Sequence, residues 1–303
     1  MNDIALTPEE IEAAEIAEIK KPIAGEDGIT RYDVRTKPHY WIYAQGVEVW
    51  NRWGEDKLTV EEKQVITDDI KKYCGIDKTL PLQNEVIDFK KTVWDEIVNL
   101  DGAFFKQYAN FFISIFKKEA FFENTFFLKC ADFSGTTFTW GADFGSSVFI
   151  QNAEFIDVKF ILDAFFEKVT FKQYSCFNIA TFYNTVIFSN TTFENFVPSF
   201  EGTKIEKHID FSATNKHFPK YNKQLFEEQK IKAESVATQY SILKTLMRKM
   251  EFADKELFFH GKELEAKSYD ENEPKHLRWL YKRYGEFSDY GQSITQPLYW
   301  LFF

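Results

Sequence analysis

Large apolar residues, almost all of them phenylalanine, recur through the middle of this chain at intervals that alternate between five and six residues. Two positions before each one stands a small or β-branched residue, such as Ala131 before Phe133 and Thr136 before Phe138. Because both rules hold over some twenty positions, they indicate one structural unit that repeats. The large residues, called centres below, are Phe89, Trp94, Leu100, Phe105, Phe111, Phe116, Phe122, Phe127, Phe133, Phe138, Phe144, Phe149, Phe155, Phe160, Phe166, Phe171, Phe177, Phe182, Phe188 and Phe193.

Two successive steps give a period of 11 residues, which could also belong to a right-handed helical coiled coil. In a helix, however, half-steps of five and six residues would place the two phenylalanine columns roughly 140° apart, on two faces instead of one stripe. The segment is also rich in Thr, Ser, Asn, Val and Phe, which favour strands and turns over helix. The pattern therefore favours a β-structure over the helical alternative.

A small residue at i−2 and Phe at i resemble the motif of the pentapeptide-repeat family, and the alternating steps resemble its Phe-centred variety, over about residues 89–211. The resemblance implies a mainly β fold, a right-handed quadrilateral β-helix with one repeat per face. Twenty centres then make five coils, and Phe200, Ile205 and Phe211 add most of a sixth after a slip at Pro198.

Coils of such a solenoid stack at the strand spacing of about 4.8 Å, so each phenylalanine ring should lie on the ring one coil away. The interior is then filled by rings and leaves no cavity for a ligand. The expected structural core consists of Phe111, Phe116, Phe122, Phe127, Phe133, Phe138, Phe144, Phe149, Phe155, Phe160, Phe166, Phe171, Phe177, Phe182, Phe188 and Phe193.

The region before the repeats, residues 1–88, is expected to be a helical cap, because a solenoid exposes unpaired backbone at its ends. Three helices are predicted: from Thr7-Pro8 to about Ile19, over about 40–53, and from Thr59 to Gly75. The phrase at 45–53 resembles a "GV..WN.W" element that precedes the repeats in bacterial members of the family. Its Trp50 and Trp53 are expected to plug the first coil, with ligand stacking as the alternative.

The region after the repeats, residues 212–290, is predicted to be a small helical domain. A long helix is expected over about 222–250, a second from Asp254 to about Lys267, and a third from Pro274 through Tyr284. The segments 240–244, 254–259 and 290–293 resemble the link that joins the solenoid to membrane helices, sometimes of ion-channel type, in many bacterial and archaeal members.

An uncharged aromatic run follows Pro297 and is expected to open a transmembrane helix that is cut off within residues 291–303. Upstream basic residues Lys275, Arg278, Lys282 and Arg283 would place the solenoid at the cytoplasmic face of the inner membrane by the positive-inside rule. The alternative is an aromatic tail packed on the helical domain of a soluble cytoplasmic protein. The run expected to contact the membrane is Leu298, Tyr299, Trp300, Leu301, Phe302 and Phe303.

No motif in the chain predicts catalysis, a cofactor or a metal. The five histidines lack metal-ligand spacing, and neither a phosphate loop nor a nucleophile elbow is present. Neither Cys130 nor Cys176 has a neighbouring histidine to activate it. We therefore expect no catalytic, cofactor-binding or metal site, although an unrecognised enzyme in the helical domain remains a third, weaker hypothesis.

Acidic residues on the coil, including Asp132, Asp143 and Glu154, are expected to form one ladder with an 11-residue period. Their ordinary role is to keep a solenoid face soluble. Some members of the family instead resemble B-DNA and inhibit gyrase, but lysines interrupt the acids here, and residues 101–211 carry only 9 Lys/Arg against 13 Asp/Glu, a net of −4.

The function expected from these patterns is that of a non-catalytic protein-interaction scaffold or sensor domain, the cytoplasmic part of a membrane-tethered bacterial protein that could be channel-like. Its partner is an unidentified protein, and homo-oligomerisation is open. Direct nucleic-acid binding is not expected, because no basic face stands out. The second hypothesis is a soluble DNA mimic that binds a topoisomerase such as gyrase.

Overall fold

The computed structural model describes residues 8–75, 77–214, 217–221, 226 and 231–291. Its centre is a parallel β-solenoid of about six coils with four faces, and helices flank it on both sides. The fold class expected from the repeat is therefore confirmed. The described helices are α1 Pro8–Ile19, α2 Pro38–Tyr43, α3 Val47–Gly54, α4 Val60–Tyr73, α5 Ala233–Lys249, α6 Ala253–Lys267 and α7 Lys275–Ser288.

Each coil contributes one short strand to each of four parallel sheets, which we number in chain order as faces 1 to 4. Face 1 comprises β3 Ile87–Asp88, β7 Ala109–Asn110, β11 Ala131–Asp132, β15 Ala153–Glu154 and β19 Ser175–Cys176. Face 2 comprises β1 Ile23–Ala24, β2 Thr30–Asp33, β4 Thr92–Trp94, β8 Ile115–Phe116, β12 Thr137–Phe138, β16 Lys159–Phe160, β20 Thr181–Phe182 and β23 Lys204–Ile205. Face 3 comprises β5 Val98–Asn99, β9 Ala120–Phe121, β13 Ala142–Asp143, β17 Ala164–Phe165, β21 Thr185–Ile187 and β24 His208–Asp210. Face 4 comprises β6 Phe104–Phe105, β10 Phe126–Phe127, β14 Val148–Phe149, β18 Thr170–Phe171 and β22 Thr192–Phe193.

The register is 22 residues per coil, as in the pairing of Phe127 with Phe149. In the last coil the offset becomes 23, because Thr181 pairs with Lys204. The extra residue lies in the stretch around Pro198, between β22 and β23, where a slip was predicted. Since every partner lies one coil away, the four sheets are parallel except for the hairpin that precedes the first coil.

Four columns of stacked rings fill the interior. In the face 1 column Phe111, Phe133 and Phe155 follow one another at centroid distances of 4.8 and 5.1 Å, with ring planes within 3° of parallel. Rings of opposite columns meet edge to face across the interior, as Phe133 of face 1 and Phe144 of face 3 do at 5.3 Å. All sixteen core phenylalanines predicted from the sequence are buried in these columns.

Most of the buried Ser and Thr residues at i−2 are hydrogen-bonded within the stack itself, with Ser175 as an exception, because its Oγ has no hydrogen-bond partner. Thr136 Oγ1 donates to the Phe111 carbonyl at 2.8 Å, and Thr125 Oγ1 donates to the Leu100 carbonyl at 2.8 Å. Each acceptor is the carbonyl of a centre on the preceding face of the previous coil. The hydroxyl therefore joins two adjacent coils. This pairing removes the cost of burying a polar group where the section has room only for a small side chain.

The two step lengths correspond to two kinds of corner. In most cases a five-residue step closes with an i to i+3 hydrogen bond, such as the Thr136 amide to the Phe133 carbonyl at 3.0 Å. Its third residue has positive φ, 67° at Gly135, as a type II β-turn requires. Two β-branched residues, Ile113 and Ile179, occupy this position at φ values of 58° and 51°, which is strained backbone.

Helix α3 seals the first coil, in agreement with the predicted plug. Trp50 is fully buried, its ring stands 5.1 Å from Phe105, and its Nε1 donates to the Phe104 carbonyl at 3.1 Å. Asn51 accepts from the Phe104 amide at 2.8 Å and donates to the Gly102 carbonyl at 3.1 Å. Asn51 therefore provides the hydrogen bonds that a preceding coil would otherwise make.

A β-hairpin that the sequence analysis did not predict extends face 2 beyond the first coil. Strand β2 pairs in parallel with β4, Tyr32 opposite Thr92, and β1 folds back antiparallel on β2. The buried Arg31 side chain fixes the hairpin to the solenoid. It donates to the Ile113 carbonyl at 2.9 Å and to both carboxylate oxygens of Asp27. With four residues in β2 and two in β1, the hairpin was too short to be recognised from alternation.

Helices α5 and α6 cover the last coil. The ring of Phe259 packs edge to face on Phe211 at 6.0 Å, and Phe218 lies between that pair and Phe193. Between the two helices Glu263 is buried and accepts from Lys244 at 2.5 Å and Lys267 at 2.7 Å. Both open ends of the solenoid are thus closed by aromatic contacts.

Several predicted helix boundaries are wrong. The helix expected over 40–53 is in fact two helices, α2 and α3, because Gly46 between them has a φ of 98° and interrupts the helical hydrogen bonding. The described part of the long helix starts at Ala233, because Lys232 is extended at its N-cap position, and the predicted start near 222 lies outside the described residues. Phe252, not Asp254, is the N-cap of α6. The predicted start of α4 at Thr59 is confirmed, and Thr59 forms a capping box with Glu62 there.

Candidate interaction surface

The acidic ladder expected from the sequence is wrong, because its members lie on opposite faces. Asp132 pairs with Glu154 on face 1, whereas Asp143 lies on face 3 opposite Phe165. An 11-residue period is half of the 22-residue coil, so a residue type repeated every 11 positions alternates between faces 1 and 3. Only a 22-residue period keeps side chains on one face.

A different set of carboxylates runs along the edge of face 3, mostly in the turns that lead from its strands to face 4. Asp101 and Glu123 lie on successive coils, and the Glu123 amide donates to Asp101 Oδ1 at 2.7 Å. On the third coil the equivalent position is Gly145, and the side chain of Asp143 folds over it and accepts from its amide at 2.7 Å. Glu167 continues on the fourth coil. The acidic column consists of Asp101, Glu123, Asp143 and Glu167.

The carboxylates of the acidic column repel one another, because they are held close together on successive coils. The pKa of Asp143 is raised, first by burial and then by the carboxylates of Glu123 and Glu167. The pKa of Asp101 is raised, again first by burial, with Glu123 and Asp143 adding to it. Lys168 Nζ lies 3.3 Å from Glu167 Oε1. In the described part of the chain, no other Lys or Arg nitrogen lies within 4 Å of a carboxylate oxygen of the column. The column therefore retains uncompensated negative charge.

Apolar side chains flank the acidic column on the same face. Phe121, Phe165 and Ile187 occupy the outward position of their strands, with Asp143 between the two phenylalanines. All three side chains are only partly buried. Face 3 thus offers a surface on which half-exposed apolar groups lie beside a row of carboxylates, with its backbone already hydrogen-bonded on both sides within the stack.

At the corner between faces 2 and 3 large apolar side chains are exposed. Trp140 is 50 % exposed and lies two residues before the start of β13, and Leu162, one coil later, lies two residues before the start of β17. Ile161 and Tyr183 lie beside them on successive coils and are also exposed. We call Trp140, Ile161, Leu162 and Tyr183 the corner ridge. Contiguous exposed apolar groups of this kind often mark interaction sites.

The nucleophilic and metal-ligating residues lie elsewhere and apart from one another. Burial raises the pKa of the Cys74 thiol to about 11, so the thiol is protonated at neutral pH. His39 is buried in the N-terminal cap, 5.5 Å from Trp53, and burial lowers its pKa to about 4. Throughout the described residues no three His, Cys, Asp or Glu side chains are grouped so that they could hold a metal ion.

The predicted membrane-contact run, Leu298 to Phe303, lies outside the described residues. Within the described ranges, no helix is both long and apolar enough to cross a bilayer. The basic cluster predicted to precede the run does lie in described structure, on α7.

Sorting the outward positions by a 22-residue period would have found the acidic column from the sequence. The corner ridge was harder to find, because a residue such as Trp140 at a six-residue corner follows no repeat rule. Comparison with known proteins adds nothing here, since no family model, curated protein or solved structure matches this chain.

Proposed function

We propose that this chain is a non-catalytic protein-interaction scaffold whose docking surface is face 3 together with the corner ridge. Its partner presents Lys or Arg side chains alongside apolar ones. The observation that carries the proposal is the acidic column, whose inner members Glu123 and Asp143 stand side by side with no basic side chain within 4 Å among the described residues.

Charge is the first reason to expect a basic partner. Bringing a Lys or Arg to the column stabilises the ionised carboxylates of Asp101 and Asp143, whose pKa values are raised in the free protein. The gain is shared by several carboxylates at once, because they lie on successive coils. Such complementarity contributes to specificity and association rate as well as to affinity.

Apolar area is the second reason. The partly exposed Phe121, Phe165 and Ile187 lie beside the carboxylates, and the exposed Trp140 and Leu162 extend the surface around the corner. Aromatic residues are enriched at protein interfaces, where they supply contact area at small entropic cost. A partner with both charges and apolar groups could therefore use the whole face.

Rigidity is the third reason. The strands of face 3 are fixed by ring stacks such as Phe122 on Phe144 at 4.9 Å and Phe144 on Phe166 at 5.0 Å. A surface that is ordered before binding loses little conformational entropy when the partner arrives. This favours a scaffold over a surface that must fold on binding.

We further propose that the chain is a pentapeptide-repeat protein of bacterial type that works at the cytoplasmic face of the inner membrane. The repeat rules support the first part, and the basic cluster Lys275, Arg278, Lys282 and Arg283 supports the second. DNA mimicry is the weaker candidate. One carboxylate per coil is about one charge per 4.8 Å, against roughly one per 1.7 Å in duplex DNA.

The test is a selection of binders from a random peptide display library on the purified protein. We expect enriched peptides to combine basic with apolar residues and to lose binding to the double variant Glu123→Gln/Asp143→Asn. The matched control is Asp132→Asn/Glu154→Gln, which removes one Asp and one Glu charge from face 1 and should keep binding. No enrichment of basic peptides, or equal loss with both double variants, would overturn the proposal.

A further inference from the structure

Helix α7 is amphipathic, and little of it is covered by the rest of the described protein. Of its fourteen residues only Ser288 is buried. Four large apolar side chains are exposed instead: Trp279 at 61 %, Leu280 at 52 %, Phe287 at 47 % and Tyr284 at 40 %. At 3.6 residues per turn these four lie within an arc of about 140°. Most of the apolar surface of α7 therefore faces outward.

The outward apolar arc extends onto the neighbouring helix. Leu257 of α6 is 40 % exposed, and Gly291, which follows α7, lies close to both Leu257 and Tyr284. The surface is thus continuous across two helices of the C-terminal cap. An uncovered apolar surface of this kind is costly in water and indicates an occupant.

Basic side chains border the same surface, and one of them, Arg283, lies within the apolar arc at 3.6 residues per turn. Helix α7 carries Lys275, Arg278, Lys282 and Arg283 against one acid, Glu286, in a chain whose net charge is −10. Arg283 is engaged on the surface, donating to Glu286 at 2.7 Å and lying over the Trp279 ring at 5.7 Å. Even so, α7 has a net charge of +3 without His276, opposite in sign to the whole chain.

We propose that α7 lies in the plane of an anionic lipid membrane, with Trp279, Leu280, Tyr284 and Phe287 in the interface and its lysines and arginines at the headgroups. Helices that bind in this way combine Trp, Phe and Leu on one side with Lys and Arg on the other. A protein partner fits less well, because the cores of protein interfaces are depleted in lysine, and Lys275 and Lys282 border the arc here.

This inference rests on the proposed location at a membrane, and it adds a contact that needs no spanning segment. Interfacial aromatic side chains supply the apolar part of the binding free energy, and anionic headgroups supply the electrostatic part. The rest of the chain, being acidic, is repelled by the same surface. Only the orientation that turns α7 toward the membrane is therefore favourable.

The experiment is flotation of the full chain with vesicles of phosphatidylcholine containing roughly 30 mol% phosphatidylserine, with pure phosphatidylcholine as reference. We expect binding to the anionic vesicles that weakens with salt and little binding to the neutral ones. Lys275→Gln/Lys282→Gln should weaken partitioning about tenfold or more. Trp279→Ser/Phe287→Ser should abolish it, whereas Trp140→Ser, which removes a half-exposed Trp outside α7, should leave it unchanged.

Three results would overturn the inference. If Trp300→Ser/Phe302→Ser abolishes flotation and the α7 variants do not, α7 is not the membrane contact but the proposed membrane location stands. If the wild type binds neither vesicle, both α7 and that location fail, while peptide binding at face 3 is unaffected. If the α7 variants instead convert a dimer to a monomer in sedimentation, a second copy covers the helix.

Discussion

The carboxylate of Asp143 occupies the place that Gly145 leaves empty on face 3, with Oδ1 accepting from the Gly145 amide at 2.7 Å. A Cβ at residue 145 would stand 3.0 Å from that oxygen and 3.6 Å from Glu123 Cγ. The missing side chain lets an acid from the neighbouring outward position complete a column that runs over four coils. Face 3 owes its continuous negative charge to this one arrangement.

The pH dependence of stability should report on Asp143. Its pKa is raised in the folded protein, so ionisation disfavours folding, and this cost appears as the pH rises through the folded pKa. Asp143→Asn removes the cost, and we expect a higher melting temperature than wild type at neutral pH. At about pH 3, below the ordinary pKa of Asp, the wild type and Asp143→Asn should have the same melting temperature. A difference of the same size at both pH values would contradict the electrostatic explanation.

The stacked columns should not tolerate a charge. Phe149 is fully buried between Phe127 at 4.6 Å and Phe171 at 5.0 Å. Phe149→Ala should lower the free energy of unfolding by roughly 3–5 kcal/mol. Phe149→Asp should unfold or aggregate the protein, because the buried carboxylate has no partner. If Phe149→Asp has the same melting temperature as the wild type, residue 149 does not point into the ring column and the assigned repeat register is wrong.

The strained corner at Ile179 should yield a stabilising substitution. Ile179 has a φ of 51°, and the equivalent corners of two other coils are occupied by Asn124 and Asn190. Because Asn adopts positive φ more easily than a β-branched residue, Ile179→Asn should raise the free energy of unfolding by about 1 kcal/mol. Gly202→Ala should lower it by roughly 1–2 kcal/mol, because φ there is 69° and the new Cβ would be 2.9 Å from Ile179 Cγ2.

Chemical denaturation of both single variants and the double variant measures these effects. Since the added Cβ meets the Ile179 side chain, the cost of Gly202→Ala should be smaller in the Ile179→Asn background. Strict additivity would mean that the two residues do not interact across the corner.

The purified protein should not inhibit gyrase supercoiling at micromolar concentration. The acids that would mimic phosphates are divided, Asp132 and Glu154 on face 1 and Asp143 on face 3, and lysines lie among them. A supercoiling assay checks this directly. Potent inhibition that is reversed by substituting Asp132, Asp143 and Glu154 would favour the DNA-mimic function instead.

The solenoid was predictable because its rules are local and repeated. A ring at every fifth or sixth residue determines which side chains lie inside, and all sixteen predicted core phenylalanines are buried. The Trp50 plug was predictable for a related reason, since a large apolar surface must cover the first coil.

What was missed depends on pairings that no local pattern records. The β1–β2 hairpin exists because β2 pairs with β4 about 60 residues away and Arg31 reaches Ile113. The division of the acids between faces 1 and 3 follows from the coil length, which the 11-residue period conceals. The exposure of α7 could not be read from its amphipathic sequence, because such a pattern usually marks a helix packed on a core.

The central claim is that face 3, and no other face, binds a basic partner. The most direct measurement is calorimetric titration of a selected basic peptide into three proteins: wild type, Glu123→Gln/Asp143→Asn and Asp132→Asn/Glu154→Gln. We predict a dissociation constant about tenfold or more weaker for the face 3 variant, unchanged binding for the face 1 control, and weaker binding at higher salt. Equal affinities for all three proteins would contradict the account.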